Sequence, residues 1–142
     1  MFVSRKGGGD VLLLRRSAPQ GGYWHVVAGG VEPGETPIAA AERELREETG
    51  LVATVEAEAG VEVVEYVDPL TKEPPATRTR HDASVAHVNV TCFHVAAPDE
   101  WEPTLDWEHD DHRWCEPDEA FAAMRWPATA GALRKLLLLD AN

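Results

Sequence analysis

Short apolar runs alternate with glycine-rich breaks through the first third of the chain. Phe2 to Arg5 and Val11 to Arg15 are β-prone runs separated by Lys6-Gly7-Gly8-Gly9-Asp10, which predicts a hairpin. Tyr23 to Val27 is a third apolar run and ends in Ala28-Gly29-Gly30. Thr36-Pro37 then opens a helix, because threonine caps free N–H groups and proline is tolerated at the first helical position; Gly50 stops it. Within that helix Ile38, Ala41 and Leu45 fall at i, i+3 and i+7 and predict its buried stripe. Val52 to Val67 alternates apolar and acidic positions, predicting two strands around Gly60. Asp68 to His81 carries three prolines and no period, and reads as a long loop. Ser84 to Ala97 predicts a central strand and Leu105 to Cys115 a last one. Pro117 to Met124 and Pro127 to Leu139 predict two closing helices, the first with an acidic turn placed to cap it. This order implies a mixed sheet with helices against its faces, an α+β chain built as an α/β/α sandwich.

Composition narrows the class. The 142 residues, 44% hydrophobic and 27% charged, suit one domain over 1–142 with a full apolar core. Thirteen Lys and Arg against 25 Asp and Glu leave a formal charge of -12, which disfavours a broad nucleic-acid face and attraction to anionic membrane. An anionic ligand would therefore need metal cations or a local basic cluster. Cys92 and Cys115 stand apart rather than in a Cys-x-x-Cys pair, so reduced thiols are expected. No apolar run approaches the roughly 20 residues that span a bilayer, and Met1 to Arg5 carries no signal-peptide core. A cytoplasmic protein is the expectation.

Glu44, Glu47 and Glu48 fall at i, i+3 and i+4 and so share one patch of the helix, with the small Ala40 one turn earlier leaving room in front of them. Such a patch is either a solvated acidic face or a cation site. Like charges at this spacing repel, and in the last turns of a helix the macrodipole disfavours anions, so stability alone would not select the arrangement. A hard divalent ion such as Mg²⁺, which takes carboxylate oxygens and completes its shell with water and phosphate, accounts for it.

Gly29, Glu35, Arg43-Glu44-Leu45, Glu47-Glu48 and Gly50-Leu51 match without a gap the Nudix box, G-x5-E-x7-R-E-U-x-E-E-x-G-U, where U is a bulky aliphatic. The box and the order of the elements around it resemble the Nudix hydrolase superfamily over nearly the whole chain. The resemblance implies the Nudix fold, and it implies that Glu44, Glu47 and Glu48 bind catalytic divalent metal, Mg²⁺ with Mn²⁺ able to substitute. It also implies that Glu35 supports the site, that Arg43 positions the carboxylates by ion pairing, and that Gly29 and Gly50 serve the backbone. Many members carry Pro-Gly-Gly before the box where this chain has Val27-Ala28-Gly29, so the carbonyl often used as a metal ligand would belong to Ala28.

Trp107-Glu108-His109 followed by Arg113-Trp114 is similar to the Glu-His-x-x-x-Arg/Lys-Trp segment of diadenosine polyphosphate hydrolases and dihydroneopterin triphosphate pyrophosphohydrolases. That similarity implies Glu108 as a distal metal ligand or general base; the alternative is that Trp107 and Trp114 pack beneath a charged loop. The implied reaction is metal-activated attack of water on a diphosphate linkage, with Glu44, Glu47 or Glu108 as base. The implied substrate is a small phosphorylated molecule, a nucleoside triphosphate or dinucleoside polyphosphate, and a homodimer is one assembly it could form. Two other readings remain, a Nudix-fold module that binds a nucleotide without turnover and an RNA 5′-end pyrophosphohydrolase.

Substrate contacts are drawn from three places. Lys72, Arg78, Arg80 and His81 gather cations in the long loop, and could meet phosphates. Arg15 and Arg16 form a second basic spot, with Arg16 the one assigned to the cleft. Tyr23, Trp24 and Tyr66 could stack on a base or pack in the core.

Overall fold

A computed structural model describes residues 1–7, 9–55, 60–67 and 86–140, with side chains of the final helix described through residue 137. The strands are β1 (Phe2–Arg5), β2 (Val11–Arg16), β3 (Trp24–His25), β4 (Val61–Val67), β5 (Ala86–Cys92), β6 (His94–Ala97) and β7 (His109–Cys115). The helices are α1 (Pro37–Thr49), α2 (Pro117–Ala123) and α3 (Pro127–Asp140), and a single 3-10 turn covers Ala18–Gln20.

β2 is the spine of a five-stranded mixed sheet. One edge pairs antiparallel with β7 from Val11↔Cys115 to Arg16↔His109, with a register shift between Arg15 and Arg16. Its other edge is shared by β1, at Ser4↔Val11, and β3, at Leu14↔His25 and Arg15↔Trp24. β1 also pairs in parallel with β6. The unbroken run Val11 to Leu14 suits this central place, because a strand covered on both faces has no polar side to show. Val11 and Leu13 join Phe2, Leu133 and Leu136 in the core beneath α2 and α3. Leu12 and Leu14 point the other way and join Val3, Leu45 and Phe93 in the core beneath α1. The sandwich expected from the order of elements is thus present, with the expected hairpin between β1 and β2 closed by the Arg5 N–H on the Asp10 carbonyl at 2.9 Å.

Three expectations are corrected. Of the strand expected before Gly60, residues 52–55 form none and 56–59 lie outside the described residues; the Val55 N–H donates to the Glu42 carboxylate at 2.8 Å, and just before it the Leu51 N–H donates to Thr49 Oγ1 at 3.2 Å, so these amides pair with α1 and its end instead of a ladder. The expected central strand over Ser84 to Ala97 is two strands in two sheets. β5 pairs with β4 in a separate antiparallel ribbon, and the chain breaks at Phe93 before β6 enters the main sheet. The Tyr23 to Val27 run forms a strand only at Trp24–His25. α2 starts at Pro117 with no side-chain cap from Glu116. The loop expected over 68–81, with Lys72, Arg78, Arg80 and His81, lies outside the described residues. Both cysteines are buried free thiols. Among the described residues no helix is long and apolar enough to cross a membrane.

Candidate active site

α1 begins and ends where its caps dictate. Thr36 Oγ1 accepts the Ala39 N–H at 3.2 Å, Pro37 occupies the first turn, and Gly50 closes the helix at φ 80° with its N–H on the Arg46 carbonyl. The residues buried on it are Ala40, Leu45, Glu48 and Thr49, whereas Ile38 and Ala41 lie half-buried at the edge of the core. The predicted stripe packs on the core, with burial deepest at the last turn. That turn is tied down by the Thr104 N–H on the Thr49 carbonyl at 2.8 Å, which brings the segment preceding β7 over the helix end. A carboxylate, Glu48, is carried into the interior as a result.

Arg43 gathers most of the acidic patch. Its Nε and Nη2 donate to the two oxygens of Glu35 at 2.8 and 3.1 Å, and its Nη1 donates to Glu44 at 2.8 Å and Glu47 at 3.2 Å. Nη2 also reaches the Gly30 carbonyl at 2.9 Å, which binds the loop before α1 to the helix. The hydrogen bonds from Arg43 hold the Glu35 carboxyl below its ordinary range, and the carboxylates hold the guanidinium firmly charged. Glu44 is pushed up, first by burial and then by the nearby charges of Glu47 and Glu108, against the lowering effect of Arg43. Glu47 is the exposed member, its side chain 54% accessible.

Glu48 is 2% exposed and has no arginine or lysine partner among the described residues. One oxygen accepts the Ala28 N–H at 3.2 Å, and the other lies 3.6 Å from His109 Nε2, whose ring Nδ1 is 2.7 Å from Asp106. Burial, followed by the charges of Glu44 and Asp106, lifts its carboxyl to about 8. Neither His109 nor Asp106 was singled out from the sequence; His109 lies inside the quoted Glu-His segment, and that was the available signal. Gly29 has a steric reason to be glycine: a Cβ there would sit 2.1 Å from the Glu44 carboxylate.

The patch borders a cleft of ≈ 580 Å³. Its walls come from Val26 to Val31, from Pro37, Ala40, Ala41 and Glu44 of α1, from β4 and β5, and from Trp126 and Thr129 at the start of α3. The lining is largely apolar, and buried His25 within it is held neutral, its pKa lowered to about 3 mainly by burial. Tyr23, Trp24 and Tyr66 do not line this cleft; Tyr23 lies beneath Arg16 and Arg125, and Trp24 beneath Arg15 and Arg113. Trp126, which sequence reasoning passed over, is the tryptophan that does among the described residues. Glu108 is half-buried and lies 3.9 Å from Arg16, whose buried Nε has no hydrogen-bond partner among the described residues. Trp114 packs edge-on to Trp101 and under Arg5, whereas Trp107 is 76% exposed. Only one of the two tryptophans therefore packs under the loop.

As the side chains stand, no three His, Cys, Asp or Glu residues among those described converge on one ion. Glu44 and Glu47 are engaged by Arg43, and Glu48 by the Ala28 N–H. The donor chemistry nevertheless fits a hard divalent cation: three carboxylates share a patch, and two of them are driven towards the neutral form by burial and mutual repulsion.

A three-layer sandwich whose box helix presents these glutamates beside a cleft defines the class. Residues 1–136 match the NUDIX domain model, and the chain belongs to the Nudix family. It is a hydrolase of the kind that acts on pyrophosphate bonds, and the family generally uses a divalent metal. The chain is 34% identical over 135 residues to CTP pyrophosphohydrolase from Escherichia coli K12, covering 94% of this chain and 86% of that protein. It superimposes on a Caenorhabditis elegans Ap4A hydrolase binary complex with a TM-score of 0.72 at 22% identity, covering 99% of this chain and 92% of that one. A short match, 58% identical over 41 residues, to an octanoyltransferase from Myxococcus xanthus spans 29% of this chain and 12% of that protein.

Proposed function

We propose that the chain, read as a single Nudix domain over 1–142, is an Mg²⁺-dependent hydrolase of nucleoside triphosphates, with dinucleoside polyphosphates as the neighbouring substrate class. The observation that carries this is the pairing of the Glu44, Glu47 and Glu48 patch with a largely apolar cleft next to it. The 34% identity to a CTP pyrophosphohydrolase favours the triphosphate. Glu44, Glu47 and Glu48 would hold the cation, with the Ala28 carbonyl and Glu108 as further oxygens, and Mn²⁺ could replace Mg²⁺. When bound, a divalent ion neutralises phosphoryl oxygens and lowers the pKa of a coordinated water.

The protein groups divide the remaining work. Arg43, anchored by Glu35 and the Gly30 carbonyl, fixes Glu44 and Glu47 and retains those two anchors when the carboxylates turn to a cation. Gly29 leaves the space the Glu44 carboxylate occupies. The Ala28 N–H holds one oxygen of Glu48, with His109 Nε2 3.6 Å from the other. Glu44, Glu47 or Glu108 takes the proton of water as its oxygen attacks phosphorus in line; the anhydride P–O bond breaks and its electron pair leaves with pyrophosphate. Arg16, beside Glu108, meets phosphate oxygens. The apolar cleft receives the nucleoside, where Trp126 offers a ring face.

The test is incubation with Mg²⁺ and a panel of triphosphates, dinucleoside polyphosphates and sugar nucleotides, with products identified by mass. Nucleoside monophosphate and pyrophosphate are expected from a triphosphate. Absence of product across the panel, with Mn²⁺ as well as Mg²⁺, overturns the reading in favour of a binding module.

A further inference from the structure

β4 alternates with period two, so Val61, Val63, Glu65 and Val67 share one face of the ribbon, and Val61 and Val63 pack on the core beneath α3. An acid thus occupies a position in an apolar row. Glu65 is 5% exposed and lines the cleft together with Val67, Val88, Val90 and Trp126. It has no cationic partner among the described residues, and Oε1 accepts the backbone N–H of Thr129 in the first turn of α3. No described residue donates to Oε2.

Burying a carboxylate costs several kcal/mol unless its oxygens are satisfied. The Thr129 amide, at the positive end of the fourteen-residue helix α3, offsets part of that cost and fixes the carboxyl plane. It also uses one acceptor and leaves the other to whatever enters the cleft. The adjoining surface is apolar, so the occupant suited to it is flat and apolar on its faces, with a hydrogen-bond donor on its edge.

We propose that Glu65 reads the base of the nucleotide, its Oε2 accepting from an exocyclic amino group, so that the enzyme selects amino-bearing bases over their keto counterparts. A keto base presents an oxygen at that position and its donor, the ring N–H, one atom further along the edge, so a base held in the same pose sets two acceptors against each other with water excluded. Discrimination arises because a buried acceptor is left unpaired with the wrong ligand, which separates analogues far better than apolar contact does. The inference rests on the nucleotide reading of the cleft given above.

Two matched pairs test it: CTP with UTP and ATP with ITP, each differing in an amino-to-keto exchange and in the N–H that the neighbouring ring nitrogen gains with it. In the pair that binds better, kcat/KM is expected to favour the amino member by about tenfold to a hundredfold. Glu65→Gln keeps an oxygen for the Thr129 N–H and turns an NH2 towards the base, so it should compress that ratio to near unity or reverse it. Calorimetric binding of CMP, UMP, AMP and IMP, which carry no anhydride, reads the same preference without turnover. A preference among monophosphates with no hydrolysis of any triphosphate would sink the hydrolase reading and keep this one. Equal use of both members of each pair, a preference for the keto member, or a ratio unchanged in a folded Glu65→Gln protein overturns it. Should Glu65→Gln fail to fold, the wild-type ratios decide.

Discussion

In metal-free protein, Glu48→Gln is expected to stabilise the fold at alkaline pH and leave it unchanged in acid. The native carboxyl titrates at about 8 because it is buried beside Glu44 and Asp106, against an ordinary value of 4.5. Between those values the native state holds a proton that the unfolded chain releases, so unfolding becomes easier as pH rises. The slope approaches about 1.4 kcal/mol per pH unit, or roughly 4 kcal/mol between pH 5 and pH 8. That contribution is fully present below pH 4.5 and lost as pH passes through 8. A glutamine is neutral throughout and can still accept the Ala28 N–H, so the variant lacks this dependence. Urea unfolding in EDTA at pH 5, 6.5 and 8, compared as the difference between the two proteins, isolates this one group. Parallel curves, or a glutamine variant less stable than wild type at pH 8, would refute the reasoning.

Other substitutions separate the roles of neighbouring residues. Glu47→Gln should lower turnover by orders of magnitude while moving stability by less than about 0.5 kcal/mol, because its side chain is 54% exposed; a chemical denaturation curve beside a rate measurement checks both. Gly29→Ala should cut kcat at least tenfold, since the new methyl claims the space of the Glu44 carboxylate, with little change in melting temperature. Near-normal kcat in that variant would show that the Glu44 carboxylate does not need the position it occupies beside Gly29. Thr36→Ala should cost about 1 kcal/mol by removing the cap on the Ala39 N–H, read as a fall in melting temperature of roughly 2–4 °C without a change in KM.

Local chemistry made α1 legible before any fold was known. Thr36, Pro37 and Gly50 act within a few residues of themselves, and the i, i+3, i+4 spacing fixes which carboxylates share a patch whatever surrounds them. The β-prone runs at Phe2 to Arg5 and Val11 to Arg15 likewise announced the first hairpin, although that the second of them is the strand covered on both faces came only from the structure. The spacing did not reveal which of the three glutamates is buried. Glu48 is covered by residues far away in the chain, with the Ala28 N–H on one oxygen and His109 beside the other, whereas Glu47 stays exposed.

The sequence alone determined the Nudix box, the caps that bound its helix and the three helices, and therefore the family. Tertiary structure decided how one apolar run over Ser84 to Ala97 is divided at Phe93 between two sheets, and that 51–55 pairs with a helix instead of a strand. It also decided that Glu65 lies in the cleft beneath the start of α3. The physical reason is the same in each case. Helix caps and side-chain spacing act within one or two turns, whereas a strand's partner and a carboxylate's burial depend on which distant surface fills the space beside them.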